Sequence, residues 1–192
     1  MREGVSLTSD SMTKYIAFLR GINVGGRKMI KMAELVRLLT AAGFKNVRTF
    51  IASGNVIFDA SQKDSAALAA KIEKTLLKGL GFEVRVVVMS LDQLKAITKR
   101  NPFKRVKPSD DVMLFVTLFS SELKPKPKLP LDSAPDNLEV VSVTDGAAFM
   151  IAHRKKTGWF EFPNNFIEKK FGLTATTRNW STLVKIVAMA EG

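Results

Sequence analysis

Residues 19–32, LRGINVGGRKMIKM, hold Gly21, Gly25 and Gly26, the short amide Asn23, and the cations Arg20, Arg27 and Lys28 between two apolar runs. Glycines permit the tight backbone that turns successive N–H groups toward one point, and adjacent cations complete a cradle for a phosphate or carboxylate. Gly21 and Gly26 have the spacing of a phosphate-binding P-loop, but Arg27 and Lys28 stand where lysine and serine or threonine are required. No carboxylate strand of the metal-binding kind accompanies them, so nucleoside triphosphate hydrolysis is not expected. The competing reading is a tight corner in which glycines take positive φ and Asn23 satisfies the backbone.

Two further stretches carry similar residue types. Ser53, Gly54 and Asn55 form a polar turn between two strand-like runs, and residues 172–182, GLTATTRNWST, contain Arg178, Asn179 and Trp180. Gly172 suits a helix stop, while Thr176, Thr177 or Asn179 suits the cap of a terminal helix. Arg178 has the fork geometry to pair with a phosphate or carboxylate, and Trp180 suits either stacking on a base or anchoring a helix in the core.

Composition excludes several other chemistries. There are no cysteines and one histidine, His153, which removes thiolate catalysis, zinc–thiolate sites and most histidine metal centres. His153 reads as a surface residue at the end of a strand. Asp110 and Asp111 are the paired acids, but alternation at a strand start sends adjacent side chains to opposite faces. No cofactor and no catalytic constellation are expected. The net charge of +12 over 192 residues is spread along the chain and favours polyanionic or phosphorylated partners.

The elements that must position these residues follow from periodicity. KYIAFLR (14–20), NVRTFI (46–51), NVIFDA (55–60) and EVRVVVMS (83–90) read as strands, with helices over 31–42 and 64–78. That β-α-β-β-α-β order predicts a ferredoxin-like unit, whose first and third strands are adjacent and antiparallel. The 20–26 loop is thereby set beside Ser53-Gly54-Asn55. Ser90 and Gln93 spell a capping box for a third helix, and KRNPFKRVKPSDD then reads as a basic linker. Strands at 111–119, 137–143 and 147–154, with helices near 164–171 and 179–190, suggest a degenerate copy of the first half. Both parities of the first-half strands are apolar, so its sheet needs cover on both faces. The expected organisation is α+β, a ferredoxin-like unit over 13–90, a helix and linker over 91–110, and a second α+β unit over 111–192. Residues 1–12 read as a leader or tail.

The stretches YIAFLRGINVGG, FIASGNVIF and ATTRNW together resemble the bacterial domain-of-unknown-function family 1697, over roughly residues 14–190. The resemblance implies an α+β fold of ferredoxin-like halves and supplies no activity and no catalytic residues. Its recurrent positions here are Arg20, Gly21, Asn23, Gly25, Gly26, Ser53, Gly54, Asn55, Thr177, Arg178, Asn179 and Trp180.

Three functional classes fit. The first is a cytoplasmic, non-catalytic anion-binding protein for nucleic acid or a phosphorylated ligand, using Arg20, Gly21, Asn23, Gly25, Gly26, Lys28, Ser53, Gly54, Asn55, Arg178, Asn179 and Trp180. The second is an enzyme or sensor for a small anionic metabolite. The third is a structural or partner-binding module whose asparagines are buried and satisfied by backbone groups. No run approaches the length of a membrane span, so no membrane partner is expected.

Overall fold

The computed structural model describes residues 11–192 except 108, 122, 124–126, 130 and 134–135. The leader expected over 1–12 lies almost wholly outside the described residues, as does much of the proline-spaced stretch 122–130.

The first half contains β1 (Thr13–Leu19), α1 (Met32–Ala41), β2 (Lys45–Phe50), β3 (Asn55–Ala60), α2 (Ser65–Leu80) and β4 (Val86–Ser90). Its strands form an antiparallel sheet in the order β2-β3-β1-β4, the order a ferredoxin-like unit requires. Parity decides what each face covers. Tyr15, Ala17 and Leu19 meet Leu35 and Leu39 of α1 and Leu68, Ile72 and Leu76 of α2. Ile16 and Phe18 point the other way. Asp64 caps α2 through its side chain, and Gly81 closes it in the left-handed conformation.

The capping box forms as read, with Ser90 and Gln93 opening α3 (Leu91–Arg100). The basic stretch that follows is more ordered than a linker. Residues Pro102–Arg105 make one 3-10 turn, and Phe103 is buried against Phe149 and Trp180. One aromatic side chain suffices to pin a segment whose remaining composition reads as loop.

The second half comprises β5 (Val112–Phe119), β6 (Leu131–Ser133), β7 (Leu138–Val143), β8 (Ala147–His153), α4 (Asn164–Phe171), β9 (Ala175–Asn179) and α5 (Trp180–Glu191). Its sheet runs β6-β7-β8-β5-β9. Without β6, the order β7-β8-β5-β9 repeats that of the first sheet, with no helix among the described residues between β5 and β7. The degenerate copy is therefore real at the level of topology.

Two features depart from the sequence reading. β6 is only three residues long and gives no pattern. Thr176 and Thr177 lie inside a strand, β9, and Asn179 holds the cap position of α5 without a side-chain bond to the helix.

The second half covers the open face of the first sheet. Ile16, Phe18, Ile57, Val87 and Met89 pack in one cluster with Val116, Leu118, Phe149, Leu183 and Ile186. Lys14 Nζ and Arg48 Nη2 donate to the carbonyls of Ala190 and Met189 at 2.7 and 2.8 Å, so first-half cations satisfy the C-terminal end of α5.

Candidate functional site

Antiparallel pairing of β1 with β3 sets Phe18 opposite Asn55, and the N–H of Leu19 donates to Gly54 O at 2.8 Å. The glycine loop and the Ser53-Gly54-Asn55 turn are thus brought together at one sheet end. Gly54 is required there by space as well as by its φ of +76°. A Cβ would stand 2.7 Å from Ile22 Cδ1 and 2.8 Å from Leu19 Cβ. We expect Gly54→Ala to lower unfolding free energy by about 2–4 kcal/mol, combining backbone strain with overpacking. Urea denaturation measures it.

The loop itself is a stapled corner. Asn23, at φ +55°, donates to Ala52 O at 2.7 Å and Ile30 O at 3.1 Å and accepts from the Ile30 N–H at 2.7 Å. Its amide therefore joins the two ends of the loop to the β2–β3 turn. Gly25 and Gly26 sit exposed at the tip, where Arg27 N–H donates to Val24 O, and Lys28 Nζ donates to Glu83 O.

Arg178 ties β9 to this corner. Its Nε donates to Asn55 Oδ1 at 2.6 Å and its Nη1 to Thr176 Oγ1 and Thr177 O at 2.9 and 2.8 Å. Nη2 donates to Leu19 O and Ser53 O at 2.9 and 3.1 Å. Every N–H of the fork is used, all by uncharged acceptors. Burial pushes the guanidinium down to about 10, which leaves it charged at neutral pH. Asn55, fully buried, donates in turn to Phe50 O and Ser53 Oγ.

A cleft of about 610 Å³ opens above this network, within the range of small-molecule sites. Leu19, Arg20, Gly21, Ser53, Arg178 and Asn179 contribute to its wall. Asn23, Gly25, Gly26, Lys28, Gly54, Asn55 and Trp180 do not line it. Trp180 is instead partly buried against the cluster between the sheets, edge-on to Phe103 at 5.5 Å.

Arg20 Nη2 pairs with Glu168 Oε2 at 2.5 Å, and Glu168 Oε1 accepts the Ala175 N–H. The charge of Arg20 is thereby balanced, while that of Arg178 has no carboxylate partner among the described residues. A hydroxyl relay runs behind the wall, with Thr117 and Thr177 2.8 Å apart and Thr177 donating to Asn164. His153 is exposed, 3.7 Å from Glu139. Asp110 and Asp111 fall in the turn before β5, where Asp111 pairs with Arg154. Among the described residues no group of acidic and histidine side chains is arranged to hold a metal.

The mouth of the cleft was not legible from the sequence. Val24, Ile51 and Phe162 stand there 68, 52 and 48% exposed. The signals available were a β-branched residue inside a turn and three aromatics, Trp159, Phe160 and Phe162, before a proline.

Comparison with known proteins agrees with this fold. A solved structure of a conserved bacterial protein, SP0830 from Streptococcus pneumoniae, matches 95% of this chain and 100% of its own at 22% identity, with a TM-score of 0.66. A comparison with curated proteins returned no match. The family model described as protein of unknown function DUF1697 matches residues 12–149, a span that holds the glycine loop and the Ser53-Gly54-Asn55 turn and stops short of β9. With most of its length inside that match, the chain belongs to the DUF1697 family.

Proposed function

We propose that the protein is a non-catalytic binder of a small ligand with an apolar body and one anionic end, held in the cleft between the glycine corner and β9. The observation that carries this reading is Ile51. It is a β-branched residue at φ +51°, a conformation that costs about 1–3 kcal/mol outside glycine. Its side chain is half exposed at the cleft mouth and recovers little of that cost by burial. Strain of this kind is kept where a side chain is needed for contact.

The anionic end is favoured by the unbalanced charge of Arg178. At an effective dielectric of about 20, a unit charge roughly 6 Å from it gains about 3 kcal/mol before its own desolvation. Direct phosphate bonds to Arg178 are not part of the reading, because its donors are occupied. Nucleic acid laid across the first sheet, as in RNA-recognition modules, is not favoured either, since that face is interior. The saturation of Asn23, Asn55 and Arg178 favours one other reading, in which the corner serves only to join the two halves.

The probes are 1-anilinonaphthalene-8-sulfonate and its uncharged relative N-phenyl-1-naphthylamine, titrated by fluorescence. We expect saturable one-to-one binding, tighter for the sulfonate. Ile51→Gly and Phe162→Ala should each weaken it several-fold, while Ile51→Gly leaves the unfolding midpoint unchanged or higher. Dye affinity indifferent to both substitutions would leave the joining role alone.

A further inference from the structure

We infer that the cleft mouth is a docking surface for an anionic lipid interface. Val24, Ile51 and Phe162 are all cleft-mouth residues, yet they come from three separate chain segments, each at or beside a turn. The loop that carries Phe162 also carries Trp159, the most exposed large apolar residue among those described, at 77%. Met29, 65% exposed, lies on the same loop as Val24. Exposed apolar residues scattered singly need no account, but a concentration of them around one opening does.

Their arrangement and their charge select the partner. Isolated turn residues with Trp and Phe among them suit shallow insertion into the headgroup boundary, where the indole has both an apolar and a polar environment. Residues 20–33 hold Arg20, Arg27, Lys28 and Lys31 and no acid, and the loop of Trp159 and Phe162 holds Arg154, Lys155 and Lys156 against one acid, Glu161, which Lys155 pairs at 2.7 Å. An anionic surface is the complement of that charge, and each cation near such a surface contributes about a fivefold gain in partitioning. No helix among the described residues is long and apolar enough to cross a membrane. That concerns spanning, whereas docking needs only these loops. The inference stands on the exposed residues and holds whether or not the cleft takes up the naphthalene dyes.

The test is flotation of the full chain with vesicles of phosphatidylcholine alone and of equal parts phosphatidylcholine and phosphatidylglycerol, alongside Trp emission and sedimentation velocity. Binding to the anionic vesicles with a shift of emission to shorter wavelength is expected. Trp159→Ala with Phe162→Ala should reduce binding at least tenfold with the far-ultraviolet spectrum unchanged. Lys104→Glu with Arg105→Glu, on the 3-10 turn, should reduce it less than threefold. Three results would overturn the inference: no binding to anionic vesicles, binding lost only through Lys104 and Arg105, or a dimer that the Trp159 and Phe162 substitutions convert to a monomer without any vesicle binding. The last would make the patch a contact between copies of the chain.

Discussion

Replacing Arg178 with methionine is expected to lower unfolding free energy by about 3–5 kcal/mol, the loss typical of breaking a buried hydrogen-bond network and leaving its acceptors unpaired. Two opposing effects set the size. Removing the guanidinium relieves a desolvation cost of about 3 kcal/mol, the free-energy equivalent of its depressed pKa. Against that stand five hydrogen bonds from a charged donor, whose buried acceptors are left unpaired when it is removed. The bonds win, and methionine leaves Asn55 Oδ1 and the Leu19, Ser53 and Thr177 carbonyls without this donor. Arg178→Lys should lose nearly as much, because an ammonium has three donors at one point and cannot span acceptors on three segments.

Urea denaturation across pH separates this account from one based on side-chain volume. From pH 6 to 9 the guanidinium is protonated in both the folded and unfolded chain, so the difference between wild type and Arg178→Met should be flat. As pH rises through about 10, the folded state releases the proton before the unfolded state does. The unfolded chain then binds more protons, and the contribution of this group to stability rises with pH. A difference that falls over the same range would contradict desolvation as the cause.

The sequence could not have revealed this network. Arg178 is legible as a residue needing a partner, but three of its five acceptors are two backbone carbonyls and an amide more than 120 residues away. Nothing in a carbonyl's residue type advertises it. β9 was hidden for a related reason, since Ala175, Thr176, Thr177 and Arg178 are all buried and show no apolar alternation. By contrast, the first-half strands were legible because both of their parities are apolar, and the same fact predicted their cover. The register that unites the glycine loop with Ser53-Gly54-Asn55 followed from the topology. The cleft mouth did not, because Phe162 joins Val24 and Ile51 only through the packing of the two halves.

That packing makes the second large effect predictable. Phe149, fully buried near the centre of β8, lies 5.8 Å from the Phe103 ring and 6.1 Å from that of Trp180. It belongs to the cluster that contains Ile16 and Phe18 from the opposite sheet. Phe149→Ala is expected to cost about 3–5 kcal/mol, combining lost apolar burial with the cavity left behind. Neither sheet has a closed core on this side, because the inner strands of both share one cluster with side chains of α3 and α5. Loss at Phe149 should therefore destabilise β1 as much as β8. In a Trp159→Phe background, Trp180 fluorescence and far-ultraviolet circular dichroism should shift to the same lower urea midpoint in a single transition. Two separated transitions, with the Trp180 signal lost first and half of the ellipticity retained, would mean that the first sheet stands without its cover. The exposed face would then be one carrying Ile16, Phe18, Ile57, Val87 and Met89, a contiguous apolar surface that a soluble chain rarely leaves open.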